Sequence, residues 1–358
     1  MNKCAVIAHT MQTLGSYHKR KTTVHSLPTY FWIEPTNHCN LRCIMCPTGM
    51  EKVTIEKGYM SYELYKKIIN DIKDFASAIT LAVSGESMLH PHFFDMIRYA
   101  TDCGIKVLLN TNATLLDKEK ALLMLDSGVA SISFAFDGFT KEMYEKARVG
   151  ASFEHTLENI LYFLRRKKEL KHRKPYTILS VLMLGIAECS ERERHSFIKQ
   201  FDGLLDEVRL REVSTWGNTF KDTEDFSFRK NVQCYPPCSR LWGTSVIAWN
   251  GNVVPCIYNA NQDYVLGNLG ECSFKDIWNG EKMKKLRTAM VDGSYLSLLS
   301  ICEHCIVLGT PPLCGIPSGL RLTLADAMTN IFGYQCEKYA LRAANFIRQG
   351  KFSSITIK

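Results

Sequence analysis

Cys39-Asn40-Leu41-Arg42-Cys43-Ile44-Met45-Cys46 sets three thiols within eight residues, at a C-x3-C-x2-C spacing, after the short apolar run Tyr30–Ile33. Three soft ligands on one loop suit an iron-sulfur cluster. A 4Fe-4S cube takes one thiolate per iron, so three protein cysteines leave one iron open to a small chelating molecule. Zinc is the rival metal. A structural zinc site wants four closed ligands, usually in separated pairs, whereas this loop offers three in one run. A disulfide framework fits less well, because three neighbouring cysteines cannot all pair locally and the segment sits in a chain with no secretory signal.

The rest of the composition agrees with a reduced, metal-binding interior. With 358 residues, 46% hydrophobic and 22% charged, the chain has length for about two domains and a large core. Its net charge of +8 is spread over many segments, which favours an anionic ligand or substrate without demanding nucleic acid. Fourteen cysteines would mean disulfides in a short secreted chain, but residues 1–22 hold only the brief apolar patch Ala5–Ala8. No run reads as a membrane span: Leu241–Gln262 is uncharged but broken by Asn250-Gly251-Asn252 and Pro255, and Pro175–Ala187 is too short. A cytoplasmic protein is expected, its clustered cysteines serving as metal ligands.

Outward from the loop, short β-rich runs alternate with helical stretches, the pattern of β-α units with parallel strands. Six strands are predicted: Tyr30–Ile33, Ala78–Val83, Lys106–Leu109, Ser131–Phe136, Thr177–Leu184 and Glu207–Arg211. Between them Tyr65, Ile68, Ile69 and Ile72 share one helical face, as do Leu157, Ile160, Leu161 and Leu164. The fold class expected is α/β, an incomplete (β/α)6 TIM-like barrel. The basic run Arg165–Lys174 lies between a helix and a strand without interleaved aromatics, so it reads as a solvated helix end.

Functional residues of parallel α/β folds gather at the carboxyl ends of strands. After the second strand comes Ser84-Gly85-Glu86-Ser87, which by itself is equally a tight turn. After the third comes Asn110-Thr111-Asn112-Ala113, which by itself is an Asx turn. The fourth leads through Ser133 to Asp137-Gly138, then Tyr144 and Arg148.

Together with the cysteine loop these segments resemble the radical S-adenosylmethionine (SAM) superfamily, where an aromatic residue usually precedes the last cysteine and Met45 stands here. The resemblance implies a 4Fe-4S cluster on Cys39, Cys43 and Cys46 whose open iron is chelated by the amino and carboxylate groups of SAM. It implies reductive cleavage to a 5'-deoxyadenosyl radical that takes a hydrogen atom from substrate, with a flavodoxin- or ferredoxin-type reductant, in a barrel that opens laterally. Gly85 and Glu86 match a Gly-Gly-Glu-Pro-like motif that holds the SAM amino group, with Ser84 and Ser87 in place of Gly and Pro. Asn112 falls in a Thr-Asn-Gly-like segment with Ala113 for Gly. Ser133 and Arg148 are candidates for the SAM ribose and carboxylate, Arg because its planar fork binds a carboxylate bidentately. Asp137 could instead face the substrate.

Composition changes after Asn218. Lys221–Lys230 is charged and poor in aliphatics, a linker, and eight cysteines lie beyond it. Cys238, Gly251, Cys256 and the knuckle Cys302-Glu303-His304-Cys305 resemble the auxiliary-cluster domain of radical SAM proteins, in its short twitch form or longer SPASM form; a zinc ribbon is the rival for this site alone. The resemblance implies at least one auxiliary 4Fe-4S cluster, on Cys238, Cys256, Cys302 and Cys305. Cys234, Cys314 and Cys336 could complete a second, although the full SPASM spacing is not kept after Cys305. Five segments are expected: an N-terminal arm (1–27), the partial barrel (28–218), a linker (219–233), the auxiliary-cluster domain (234–316) and a helical extension (317–358), in which Leu324–Arg348 reads as one helix. The arm shows no clear periodicity and is too short for a leader-binding module. Cys4, Cys103, Cys189 and Cys272 are expected to be small buried residues.

Among small members of the family the twitch pattern most resembles 2-deoxy-scyllo-inosamine dehydrogenase, which oxidises a secondary alcohol on an aminocyclitol. By that resemblance the expected activity is oxidation, dehydration or epimerisation at a carbinol carbon of a sugar-like molecule. Epimerisation would need a hydrogen-atom donor, for which Cys189 and Cys234 are candidates. The alternatives are a peptide- or protein-modifying maturase and a non-catalytic iron-sulfur or zinc scaffold.

Overall fold

The computed structural model describes residues 3–182, 184, 189–211, 213, 214, 216, 237–303, 305, 308 and 320 of the 358-residue chain. In chain order its elements are α1 (Lys3–His18), β1 (Tyr30–Ile33), α2 (Tyr62–Ile72), β2 (Ala78–Leu81), α3 (Phe93–Asp102), β3 (Lys106–Thr111), α4 (Lys118–Asp126), β4 (Ser131–Ala135) and α5 (Lys141–Ala147). They continue with α6 (Phe153–Glu169), β5 (Tyr176–Leu182), α7 (Glu191–Lys199), β6 (Glu207–Arg211), α8 (Arg240–Gly243), β7 (Thr244–Ile247), β8 (Asn252–Val254), β9 (Gly267–Asn268), α9 (Phe274–Trp278) and α10 (Glu281–Asp292). The described residues divide into two compact units. Residues 35–59 and 80–213 form a loop unit that carries the three-cysteine stretch; residues 3–34, 60–79 and 214–320 form a hairpin unit.

In the loop unit β3, β4, β5 and β6 pair in parallel, with Leu108 opposite Ser131, Ser131 opposite Tyr176 and Ile178 opposite Glu207. Helices return the chain between these strands, and polar residues start them. Asp117, Thr140 and Ser152 each accept a first-turn amide at the heads of α4, α5 and α6, and Ser190 with Glu193 forms a capping box on α7. Val107, Leu109, Ile132, Phe134, Leu179 and Val181 alternate into the core. Phe136 stacks on Tyr144 at 4.2 Å and packs against Phe153 and Phe197, so the carboxyl end of β4 rests on aromatic rings.

On α6 the periodicity holds: Ile160, Leu161 and Leu164 are buried, and Arg166, Lys167 and Lys168 occupy the last turn, where cations suit the helix dipole. Lys167 departs from a solvated end. Its buried stem brings Nζ to 2.7 Å from Asp206, which also accepts from the Thr177 amide and hydroxyl.

In the hairpin unit the strand order is β1-β7-β8-β9. β7 lies parallel to β1, Tyr30 opposite Thr244, while β8 and β9 follow antiparallel. The hairpin turn is made by Gly251 at φ +86°. Ser61 caps α2, which buries Tyr65, Ile68, Ile69 and Ile72 as the period requires. Arg287 on α10 is fully buried and ties the unit together, donating to the carbonyls of Leu241, Thr22 and Trp278 and to Asn279 Oδ1.

The α/β class and the parallel strands of a partial barrel are those expected, and β1 and β6 have the predicted bounds. Two differences have physical causes. β2 stops at Leu81 because Ser87 Oγ donates to the Leu81 carbonyl, turning the chain early. α1 forms where no period was legible, because its buried face includes Thr10 and Thr13, whose hydroxyls donate to the carbonyls of Val6 and His9 one turn back. The predicted linker (219–233) and helical extension (317–358), apart from Leu320, lie outside the described residues. No helix among the described residues is long and apolar enough to cross a membrane.

Candidate functional site

The three-cysteine loop is held by backbone, not by regular structure. Arg42 N donates to Val149 O at 2.9 Å and Ile44 N to Ala147 O at 3.1 Å, which docks the loop on the end of α5. Cys46 N donates to Cys43 O at 3.2 Å, and Met50 N to Cys46 O at 2.9 Å. A Cβ on Gly49 would stand 2.5 Å from Cys43 O, so only glycine lets the two turns touch. Cys43 is buried, while Cys39 and Cys46 are partly exposed.

Gly85 and Glu86 pack against the chain just before Cys39. A Cβ on Gly85 would collide with the carbonyls of Thr36 and His38, and Glu86 N donates to His38 O at 2.8 Å. The Glu86 carboxylate is buried and accepts three hydrogen bonds: from Met88 N and Thr111 Oγ1 on Oε1, and from Asn112 N on Oε2. Burial raises its pKa, opposed by those donors and by Arg148. Asn112 Nδ2 donates to Asn40 Oδ1 at 3.0 Å, tying the end of β3 to the residue after Cys39. Ala113 adopts φ +59°, a left-handed conformation that explains why glycine is usual there; alanine carries it at a cost of about 1 kcal/mol.

Arg148 ends α5 and reaches Asp137 with Nη2 at 2.5 Å, while Asp137 Oδ1 accepts from Leu182 N at 2.8 Å. The guanidinium is buried and its Nε finds no hydrogen-bond partner. Burial opposes its charge, but Asp137, Cys43 and Tyr144 outweigh that and hold it cationic. Ser133 is partly exposed on β4, beside Asn110 and Ile178.

Electrostatics shows how closely these groups gather. The Cys39 thiol is pushed up by burial and by Glu86 and Cys46, with the Leu41 amide and Arg148 opposing; Cys43 is pushed up to about 12 by burial, with Arg148 opposing and Cys46, Cys39 and Asp137 adding. Three mutually interacting thiols, an amide-tethered carboxylate and a buried guanidinium thus share one place. Three soft thiols on one loop fit an iron-sulfur cluster, whose binding must displace their protons. Cys189 is not brought into this group: its thiol donates to Ser190 O, and Glu193 and Arg194 on α7 are the charges that act on it. Cys234 lies outside the described residues.

The hairpin unit gathers a second set from three separate segments. Cys238 precedes α8, Cys256 follows β8, and Cys302 and Cys305 form a turn in which Cys305 N donates to Cys302 O at 3.3 Å. Burial pushes Cys238 up to about 12, with Cys305 and Cys256 adding and Arg240 opposing. Burial likewise raises Cys302, where Cys256, Cys238 and Cys305 all add. Among the described residues no three His, Cys, Asp or Glu side chains close on a single ion, which bears on a lone metal and not on a cube whose thiolates sit on separate irons. Cys314 and Cys336 lie outside the described residues, as does Cys4 beyond its backbone. Cys103 is partly exposed and Cys272 exposed, contrary to expectation: Cys103 caps the end of α3 and Cys272 stands just before the Ser273 cap of α9, so neither enters a core.

Residues 33–195 match the radical SAM superfamily, and residues 238–306 match SPASM, an iron-sulfur cluster-binding domain. The chain is a radical SAM protein with a SPASM domain. It takes SAM and a 4Fe-4S cluster, with auxiliary iron-sulfur binding in the SPASM domain, and is an enzyme rather than an inert scaffold. A tungsten-containing aldehyde ferredoxin oxidoreductase cofactor-modifying protein of Pyrococcus furiosus is 24% identical to this radical SAM protein over 302 residues, covering 71% of this chain and 81% of the relative. The S-adenosyl-L-methionine-dependent 2-deoxy-scyllo-inosamine dehydrogenase of Niallia circulans is 22% identical over 277 residues, covering 76% and 90%. SuiB of Streptococcus suis, bound to precursor peptide SuiA, shares the fold with a TM-score of 0.60 at 13% identity, covering 82% of this chain and 74% of that one.

Sequence reasoning missed Asn40, Thr111 and Arg240. Asn40 and Thr111 lie inside motifs whose other members drew attention; Arg240 follows a predicted ligand by two residues and had no signal of its own.

Proposed function

We propose that this radical SAM enzyme oxidises a carbinol carbon of a small, sugar- or cyclitol-like substrate. The observation that carries the reading is the gathering of four thiols, Cys302 and Cys305 buried and Cys238 and Cys256 partly exposed, which act on one another and are fit to hold an electron acceptor rather than a substrate-binding iron. Similarity to the Niallia circulans dehydrogenase over 90% of its length supports the same class. When bound, SAM with the loop cluster supplies a hydrogen-abstracting radical, and the auxiliary cluster supplies a one-electron acceptor.

Cys39, Cys43 and Cys46 would hold the loop cluster. Gly85 and Glu86 would face the SAM amino end, Ser133 the ribose and Arg148 the carboxylate, with Asn112 fixing Glu86 and Asn40 together. Arg148 suits its part because Nε retains an unused donor while Asp137 fixes the fork. The substrate loses one hydrogen atom, one electron and one hydroxyl proton, and becomes a carbonyl. The radical SAM enzyme works in the cytoplasm on this reading, with a flavodoxin- or ferredoxin-type protein as reductant.

The test is product mass in deuterium oxide, using aminocyclitols and amino sugars with anaerobically reconstituted enzyme and dithionite. A loss of two mass units supports oxidation. Loss of water would mean dehydration, and gain of one deuterium would mean epimerisation with a thiol donor such as Cys189 or Cys234; either overturns the dehydrogenase. Turnover only of a peptide would assign the enzyme to the maturases.

A further inference from the structure

Arg240 keeps two shielded nitrogens, Nε and Nη1, without a hydrogen-bond partner. It opens α8, two residues after Cys238, and its Cζ lies 5.6 Å from the ring centroid of Trp32 and 5.7 Å from that of Tyr258, two residues after Cys256. The side chain is only partly buried as a whole, but Nε and Nη1 are shielded from solvent and have no hydrogen-bond partner. Among the described residues Arg287 has four acceptors and Arg148 has Asp137, each keeping only one nitrogen, Nη2 and Nε, without a partner. The groups whose negative charge would stabilise Arg240 are Tyr258 and the thiols of Cys256, Cys238 and Cys305.

A buried guanidinium with unmet N–H groups is costly unless something at the site accepts them. Two aromatic faces offset part of that cost through cation–π contact, yet neither supplies a lone pair. Cys238, Cys256 and Cys305 are among the groups that act on Arg240, so an anion held by these cysteines would supply the acceptor.

We propose that Arg240 is the counter-cation of the cluster held by Cys238, Cys256, Cys302 and Cys305, and that its charge and N–H groups set the reduction potential of that cluster. The inference rests on the reading that these four thiols hold an iron-sulfur cluster. A cluster on four thiolates is anionic, and taking up an electron makes it more so. A fixed positive charge in a low-dielectric surround therefore favours the reduced form, and N–H donors to the sulfurs act in the same direction. Arginine suits the task because it stays charged when buried and can lie against aromatic rings. Arg240 is thus a positioning residue for an electron, not a catalytic one.

The experiment is an EPR-monitored redox titration of the full chain carrying Cys39→Ala, Cys43→Ala and Cys46→Ala, so that the auxiliary signal stands alone. Arg240→Gln should lower the ratio of reduced to oxidised cluster about tenfold at fixed potential, a downward shift of about 59 mV for one electron. Arg240→Lys should shift it less. An unchanged midpoint in an Arg240→Gln protein that keeps its iron overturns the proposal. Where that variant loses iron, the unsubstituted Arg240 protein grown with 15N-arginine decides: a 15N hyperfine coupling on the reduced auxiliary signal is expected, and its absence overturns the proposal. Failure of the underlying reading looks different, since the triple variant would then hold almost no iron.

Discussion

The two cysteine sites solve opposite problems. The loop site is local in sequence, three thiols in eight residues, and is surrounded by polar groups already committed to one another: Glu86 to Thr111 and Asn112, Asn112 to Asn40, Arg148 to Asp137. The hairpin site is non-local, drawn from three segments, and the Arg240 guanidinium beside it leaves Nε and Nη1 without a hydrogen-bond partner. A site that exchanges a substrate-sized ligand needs its shape fixed before the ligand arrives, so its charges are internally paired. One that holds a permanent anion can leave a cation waiting for it. That contrast separates a place for chemistry from a place for an electron.

The largest effect tests the division of labour. Changing Cys39, Cys43 and Cys46 together to Ala should abolish dithionite-driven conversion of SAM to 5'-deoxyadenosine and methionine. Iron should fall from about eight per chain to about four, on the premise of cubes with four irons. Retained cleavage would sink the assignment of the loop, and about twelve irons in the parent protein would show that Cys234, Cys314 and Cys336 also bind metal.

Next comes the contrast between paired and unpaired arginine. Asp137→Ala strands Arg148 as a buried cation and frees the Leu182 amide, a loss of roughly 3–5 kcal/mol. Anaerobic thermal unfolding should show it as a Tm drop on the order of 10 °C. Arg240→Gln in cluster-free protein breaks no such pair and should leave Tm within a few degrees of the parent. Equal losses in the two variants would erase the distinction drawn here.

Much of this was legible from the chain because it is local. The cysteine spacing, the Gly85-Glu86 turn and the faces of α2 and α6 each depend on residues within a few positions of one another, and periodicity or turn chemistry reports them. The knuckle at Cys302 and Cys305 belongs to the same class. What escaped was set by tertiary packing. The parallel seat of β7 beside β1 depends on two segments more than 200 residues apart, Tyr30 and Thr244 being opposite. α1 was hidden because threonines line its buried face, and Arg240 because an unmatched charge becomes visible only when its neighbours are known. The partners of Glu86 are a middle case: the motif pointed to the carboxylate, but three internal donors could be counted only in the fold.

The smallest effect compares two glycines, one in each unit. Gly85 is needed for closeness: its backbone lies against the carbonyls of Thr36 and His38, so an added methyl must push the segment leading to Cys39. Gly85→Ala should cost about 1–3 kcal/mol, as overpacking against rigid backbone does. It should also lower iron at the loop site while the auxiliary iron stays. Gly251 is needed for conformation. At φ +86° it turns the β7–β8 hairpin, and a Cβ there would meet Asn268 Oδ1 at 3.1 Å and Leu64 Cδ2 at 3.3 Å, side-chain atoms that can give way. Gly251→Ala should therefore cost only the left-handed penalty, about 1–2 kcal/mol. Both clusters should remain, because Cys256 lies beyond β8 and its approach to Cys238 and Cys305 does not pass through the turn. Iron and sulfide assays on the two variants, normalised to folded protein, check the difference. Loss of auxiliary iron in Gly251→Ala would mean that the hairpin turn itself sets the cysteine geometry, and the hairpin site would then be as dependent on local backbone as the loop site.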